Sequence, residues 1–492
     1  MASYGQYRLV EMIPGGLMWA TFILAVLFSF IAPVLAITFI IVFDFYWLFR
    51  VVYFVIYLLV SWRKYRKASA EDWFAKLERL PGWNRLHHIV FLPMYGEDVS
   101  IARATIKAIR DSAYPNDRLL VVVAGEARES DRFAQVRKEL EKEFAGVFWS
   151  LLFTLHPADL QGEIPGKGSN LNWAGHRVKE WLEKESPFVK AEEIVASAFD
   201  VDTVVPPQYF AYLSYLYLTV PNPVRTSYQP LTLFSNNIWF AKAPVRIAAF
   251  GTTFWLLTEF ARPDHLWTFS SHSMPWKMLL DVGFWQKDIV SEDSRIFLQG
   301  LLRYEGDYRV TPMFLGVSMD TVTGKTYWEN LKALYKQQRR WAWGVEHVMA
   351  LYEGFQRSKG ISLWTKARYW FKHLEGMYTW ATAPILIFLM GWLPLNLAGS
   401  DPSVLVQGAQ QTLSWIMGFA MIGIVATGVL SMFVLPVRPH TVKRYNWLIM
   451  AAQWALLPVT ILLFSALPAI DAQTRLMFGK YLGFQVTKKK RG

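Results

Sequence analysis

Apolar and polar positions divide the chain into three stretches. From Ile13 to Phe43 there is no charged residue, and after Asp44 the apolar run resumes from Phe45 to Trp62, broken only by Arg50. Such a run exceeds the roughly 20 residues that carry a helix across a bilayer, so two spans are predicted. Pro33 marks their junction, because an interior proline lacks the N–H donor and clashes with the preceding turn. The run is too long for a secretory leader and is expected to stay in the mature chain. Apolar character returns in Met377–Leu397, Leu413–Leu435 and Trp447–Leu467, which predicts three more spans. Between these ends, short β-rich runs alternate with amphipathic helix-length stretches. Strands are predicted at His88–Leu92, Leu119–Val123, Phe148–Leu155 and Ile194–Phe199, and helices at Ile101–Ser112 and Arg128–Phe144. Alternation of this kind implies an α/β domain with a mostly parallel sheet, whose ligands bind at the carboxyl ends of the strands.

Charge then orients the segments. Arg63, Lys64, Arg66 and Lys67 follow the second run, and Arg438, His440, Lys443 and Arg444 follow the fourth. The positive-inside rule puts both clusters, and the α/β domain with them, in the cytosol, and the loop around Asp401 outside. If all five segments cross, Lys488, Lys489, Lys490 and Arg491 fall outside, against the rule. Either one segment is re-entrant or interfacial, or the tail is an exception. Trp328–Trp343 and Trp364–His373 combine aromatic bodies with basic tips, the composition of helices lying in a membrane interface. The expected division is 1–62 transmembrane, 63–345 catalytic, 346–375 interfacial, 376–470 transmembrane and 471–492 basic tail. The net charge of +12, from 51 basic and 39 acidic residues, is explained by the membrane-flanking clusters and calls for no nucleic acid. The absence of cysteine excludes disulfides, a thiol nucleophile and a thiolate metal site.

The candidate chemistry is therefore oxygen and nitrogen chemistry. Asp200-Val201-Asp202 follows a strand, where two carboxylates suit a hard divalent cation that grips a diphosphate. Pro93-Met94-Tyr95-Gly96-Glu97 ends the first strand and offers an aromatic face and a carboxylate to a nucleoside. Gly166-Lys167-Gly168-Ser169-Asn170-Leu171-Asn172 opens a helix where glycines admit close backbone approach and Lys167 meets phosphate charge. Ser291-Glu292-Asp293 and Gln337-Gln338-Arg339-Arg340-Trp341 follow downstream.

In that order, across residues 86–345, the set resembles glycosyltransferase family 2, in particular its membrane-integrated processive branch of cellulose, chitin and hyaluronan synthases. The resemblance implies a GT-A type nucleotide-sugar-binding domain between N-terminal and C-terminal transmembrane helices. It implies that Asp202, with Asp200, holds Mg or Mn on the donor diphosphate, joined by Lys167. Asp293 is then the general base for an inverting displacement and Glu292 positions it, while Gln337, Arg340 and Trp341 sit beside acceptor and leaving diphosphate. Pro93, Tyr95 and Glu97 fall on the donor side, and Ser271 and His272, within Phe269–Ser273, beside acceptor or product. The family pattern departs at Ala124-Gly125-Glu126, where an acidic pair is usual; Glu126 is the expected substitute there, and UDP is the nucleotide that the resemblance implies. Asp44 and Arg50 are candidates for lining a glycan route.

The expectation is a multi-pass plasma (inner) membrane enzyme that polymerises and exports a polysaccharide from a nucleotide sugar, with an accessory export subunit or a second copy as possible partners. A transferase placing one sugar on a membrane lipid is the alternative, since some share a similar Arg-Trp motif. An inactive partner or transporter stands behind both, because every acidic position needed for chemistry is present.

Overall fold

The computed structural model describes residues 4–399 and 404–483. The loop around Asp401 and the basic cluster Lys488–Arg491 lie outside the described residues.

Seven strands form one mixed sheet in the order β3-β2-β1-β4-β6-β5-β7. They are β1 His87–Pro93, β2 Leu119–Glu126, β3 Ser150–His156, β4 Ile194–Ala198, β5 Thr226–Leu233, β6 Ser273–Pro275 and β7 Arg309–Ser318. β1 is parallel to β2 and β4, β2 to β3, and β5 to β7; β6 alone is antiparallel, to β4 and to β5. Alternate strand residues feed opposite faces, as the two-residue pleat demands. Ile89, Phe91, Leu120 and Val122 join one buried cluster with the helix Lys167–Glu185, and Val90, Leu92, Val121 and Val123 join the other with the helix Val99–Arg110.

The four predicted strands are present, each shifted by at most a few residues, and β5, β6 and β7 are additional. β5 escapes an apolar reading because Thr226, Ser227 and Gln229 are buried within it. Each is satisfied: Thr226 Oγ1 meets Thr311 Oγ1 at 3.0 Å, Ser227 Oγ meets Tyr308 Oη at 2.6 Å, and Gln229 Oε1 accepts from the Phe269 amide at 2.7 Å. Pro230 sits where the β5–β7 register shifts, one of the few places a strand tolerates proline.

Five helices flanking the sheet layer are long and apolar enough to cross a membrane: Gly5–Ile31, Pro33–Ser69, Leu363–Ala398, Val404–Val434 and Asn446–Met477. The break between the first two falls at Ala32, directly before Pro33. Trp328–Trp343 corresponds to a helix at Tyr327–Ala342. Trp364–His373 does not form a separate element; it is the start of the helix Leu363–Met390, whose first turn is capped by Ser362. Arg50 is paired with Glu375 of that helix and donates to Tyr46 Oη at 2.8 Å, while Asp44 is buried.

Candidate active site

The site lies at the carboxyl ends of β1, β2 and β4. Gly166–Asn172 is the first part of a helix rather than a mobile loop. Ser169 Oγ accepts from the Gly166 amide at 3.2 Å, Asn170 Nδ2 donates to the Ala124 carbonyl at 2.7 Å, and Asn172 Nδ2 donates to the Trp285 carbonyl at 2.8 Å. A Cβ on Gly168 would sit 2.7 Å from the Gln286 carbonyl oxygen and 3.1 Å from Glu292 Cβ, so glycine there allows two site segments to touch. These ties leave Lys167, at the first helical position, aimed at the acidic residues.

Its Nζ donates to Asp200 Oδ1 at 2.7 Å and to Asp293 at 2.9 and 3.0 Å, with Glu292 Oε1 at 3.8 Å. Two sequence motifs, 93 residues apart, are thus joined by a third. Burial works against the Lys167 charge, but Asp200, Asp293 and Glu292 outweigh it and hold its pKa above the usual lysine value. Glu292 is 3% exposed; burial first, and then the Asp293 charge, push its carboxyl well up, with Lys167 and Arg340 opposing. The Arg340 charge therefore reaches the site from the helix Tyr327–Ala342. Asp200 Oδ2 also accepts from Ser270 Oγ at 2.8 Å. Asp202 is fully buried and accepts the Asp320 amide at 2.8 Å.

The nucleoside-side candidates are brought together by a residue the motif reading missed. The Arg128 guanidinium pairs with Glu126 and lies 4.5 Å over the Tyr95 ring, and Glu97 accepts the Tyr95 amide at 2.6 Å. Pro93 ends β1 beside Ala124 of β2. Arg128 carries no spacing signal, because a basic residue two positions after a strand is ordinary. Ser270 was passed over for the same reason, as one of two adjacent serines.

Ser271 and His272 are fully buried. Ser271 Oγ meets Thr203 Oγ1 at 2.8 Å. The His272 ring has both nitrogens engaged, Nδ1 with the Phe269 carbonyl at 2.8 Å and Nε2 accepting from Trp285 Nε1 at 3.2 Å, and Nδ1 is 3.6 Å from Asp293 Oδ1. His272 thus backs Asp293 from inside the protein. Gln337 and Trp341 line a small cavity with Phe234, and the Phe234 and Trp341 rings are 6.0 Å apart. Glu346, also missed from sequence, accepts from Ser291 Oγ at 2.5 Å, from the Ser291 amide at 3.2 Å and from Trp343 Nε1 at 2.9 Å. Burial raises its pKa. It fixes the residue before Glu292-Asp293 to the segment after Trp341.

Among the described residues, no group of three or more His, Asp or Glu side chains is placed to hold a metal ion. An all-protein cation cage therefore does not fit. Of the two carboxylates expected to hold a cation, Asp200 is partly exposed, as a site completed by substrate phosphate and water requires, and Asp202 is fully buried.

A lysine held among three carboxylates at parallel-strand ends suits a charged, phosphorylated ligand. The model of the glycosyl transferase family group 2 matches residues 198–477, more than half of the chain, and the protein belongs to that family. No curated protein matches the sequence significantly. Among solved structures, the mannosyltransferase PcManGT from Pyrobaculum calidifontis, in complex with GDP-Man and Mn2+, is 15% identical; the match covers 82% of this chain and 98% of that one with a TM-score of 0.45. S. aureus TarS 1-349 is 9% identical over 69% of this chain and 90% of that one, TM-score 0.35. The glucosyl-3-phosphoglycerate synthase from Mycobacterium tuberculosis, with Mg2+ and UDP, is 15% identical over 60% and 86%, TM-score 0.31.

Proposed function

We propose that the protein is a membrane-embedded inverting glycosyltransferase that takes sugar from a nucleotide-sugar donor, UDP-linked by family resemblance, and extends a polysaccharide that it passes through its own transmembrane helices. The observation that carries the catalytic part is Lys167 bridging Asp200 and Asp293. It supports the reading because the residues proposed for the diphosphate and for the base lie within one side chain's reach.

In the proposed reaction Asp293 accepts the proton of the acceptor hydroxyl as that oxygen bonds to the anomeric carbon. The bond from that carbon to the diphosphate breaks, and its electron pair leaves with the nucleoside diphosphate. Base and leaving group act on opposite faces of the sugar, which inverts the configuration. Lys167 and Arg340 supply positive charge to the departing diphosphate, and electrostatic stabilisation of this kind is commonly the largest contribution to the rate. A divalent Mg or Mn held by Asp200 and Asp202 would neutralise diphosphate charge in the same place. Glu292, buried behind Lys167, and His272, behind Asp293, orient these groups. Tyr95, Glu97, Arg128 and Glu126 receive the nucleoside, and Trp341 offers a flat face to the acceptor sugar.

In this reading the catalytic part is residues 63–345, on the cytosolic side of the plasma membrane. Five apolar helices give room for a glycan route, and an accessory export subunit or a second copy are the natural partners. The test uses purified protein in nanodiscs with Mg or Mn and a panel of radiolabelled nucleotide sugars. A long water-soluble product from one donor supports a polymerase. Label entering only the organic phase replaces it with transfer to a membrane lipid, and no turnover of any donor overturns the enzyme reading.

A further inference from the structure

The helix Asn446–Met477 is long and apolar enough to cross a membrane, yet both of its ends meet residues of the catalytic part of the chain. Near its start the Trp447 ring is 5.2 Å from that of Trp239, and Gln453 accepts from Arg246 Nε at 2.6 Å. Near its end Asp471 accepts from Arg339 at 2.8 Å, inside the Gln337–Trp341 motif. Both ends thus rest on the part of the chain that carries the active site.

Three other apolar helices meet it along its length. Trp454 donates to Ser431 at 3.1 Å, close to the end of Val404–Val434, and the chain just beyond, at the Pro436 carbonyl, accepts from Trp239. Trp380 donates to Ser465 at 2.8 Å, just past the charged turns of Leu363–Ala398. From Trp380 that helix runs on to Ala398, a further 27 Å or about that at 1.5 Å per residue. Trp19 donates to Thr474 at 3.0 Å, with the rest of Gly5–Ile31 still ahead of it. A crossing helix would begin at one end of its neighbours and finish at the other. This one meets the catalytic part of the chain at both of its ends, and its last residues, through the Leu476 and Met477 carbonyls, accept from Arg8 near the start of Gly5–Ile31.

Its side chains are sorted accordingly. Gln453, Ser465 and Asp471 turn their polar groups inward to the partners above, while Leu448 is 73%, Val459 54% and the following Phe478 65% exposed. A face of that kind suits lipid whether a helix crosses a bilayer or lies along it, so the path is decided by where the two ends are held.

On the reading above that the protein is embedded in a membrane, we infer that Asn446–Met477 does not cross it. The helix lies along the bilayer surface on the side of the active site, its outward face in the lipid interface, and four helices cross. The occupant of the exposed face is the acyl and headgroup boundary of that leaflet. The conflict of charges disappears as a result: an even number of crossings returns the chain after Met477 to the side of Arg438–Arg444, as the positive-inside rule requires. Asp471 then connects the lipid-bound helix to the motif helix, so the membrane surface helps to set the position of Arg340 and Trp341.

The natural lack of cysteine makes the test direct. Lys138→Cys, Asn396→Cys and Gly483→Cys, all at exposed positions, are made singly and reacted with an impermeant maleimide in sealed vesicles of either orientation. Gly483→Cys is expected to label from the same side as Lys138→Cys, with Asn396→Cys labelling from the other. Gly483→Cys labelling with Asn396→Cys means five crossings and overturns the inference alone. Lys138→Cys and Asn396→Cys labelling from one side removes the membrane-spanning reading and the inference with it. Spin labels at Leu448→Cys, Val459→Cys and Phe478→Cys supply a second readout. All three are expected at one shallow depth, about 5–10 Å into the headgroup and acyl boundary; a spread across roughly the 30 Å hydrocarbon core overturns it.

Discussion

Replacing Lys167 by methionine tests whether the carboxylate cluster is organised by that one ammonium. Methionine keeps the unbranched stem and removes only the charge. Lys167 is 9% exposed and lies 2.7 Å from Asp200, 2.9 Å from Asp293 and 3.8 Å from Glu292. Each of the two close pairs corresponds to about 6 kcal/mol of gross attraction at an effective dielectric near 20, most of it offset by the cost of burial. Removing one partner of a buried group leaves the others uncompensated, at a typical cost of about 3–5 kcal/mol. Lys167→Met alone should therefore lower the thermal midpoint of the donor-free protein in nanodiscs by far more than a surface substitution does. Asp200→Asn, added to Lys167→Met, removes one of the stranded charges and should restore part of the loss, a coupling on the order of 1–3 kcal/mol. Strict additivity of the two substitutions, or a midpoint unchanged by Lys167→Met, would refute the claim that the lysine holds these acids together.

Asp293→Asn should lower turnover by about 10²–10⁴-fold, the range for loss of a general base, with donor binding measured separately and little changed; wild-type turnover sinks the assignment. Gly168→Ala drives a methyl to within 2.7 Å of the Gln286 carbonyl oxygen, and overpacking of this kind costs about 1–3 kcal/mol, readable as a lower thermal midpoint. Arg128→Gln removes both the Glu126 pair and the contact over Tyr95; the donor KM is expected to rise by roughly tenfold, about 1.4 kcal/mol, with kcat nearly constant, and an unchanged KM dissociates Arg128 from the nucleoside. Chelation of divalent metal should abolish transfer and added Mg or Mn restore it; transfer that persists removes the metal role of Asp200 and Asp202.

Much of the site was legible because its residues sit in short segments whose order along the chain is specific. Asp200, Glu292, Asp293 and Lys167 were each named from motifs, and their side chains converge. Arg128, Ser270 and Glu346 were not legible. Each contributes one ordinary side chain whose meaning comes from what lies opposite: the Tyr95 ring, the second oxygen of Asp200, and Ser291. His272 was visible as an unusual residue, but its placement behind Asp293, with both ring nitrogens engaged inside the protein, depends on the loop that carries it.

By itself the sequence determined whatever depends on local composition and period: the apolar helices, the break before Pro33, and the strands β1 to β4, of which β1, β2 and β4 have apolar runs buried on both faces. β5 was decided only by tertiary structure, because buried Thr226, Ser227 and Gln229 are stable in a strand only when partners from distant segments satisfy their polar atoms. The path of Asn446–Met477 belongs to the same class. Its apolar length is the same whether a helix crosses a bilayer or lies along it, and the path proposed above rests on Gln453 and Asp471 finding partners, Arg246 and Arg339, in the catalytic part of the chain.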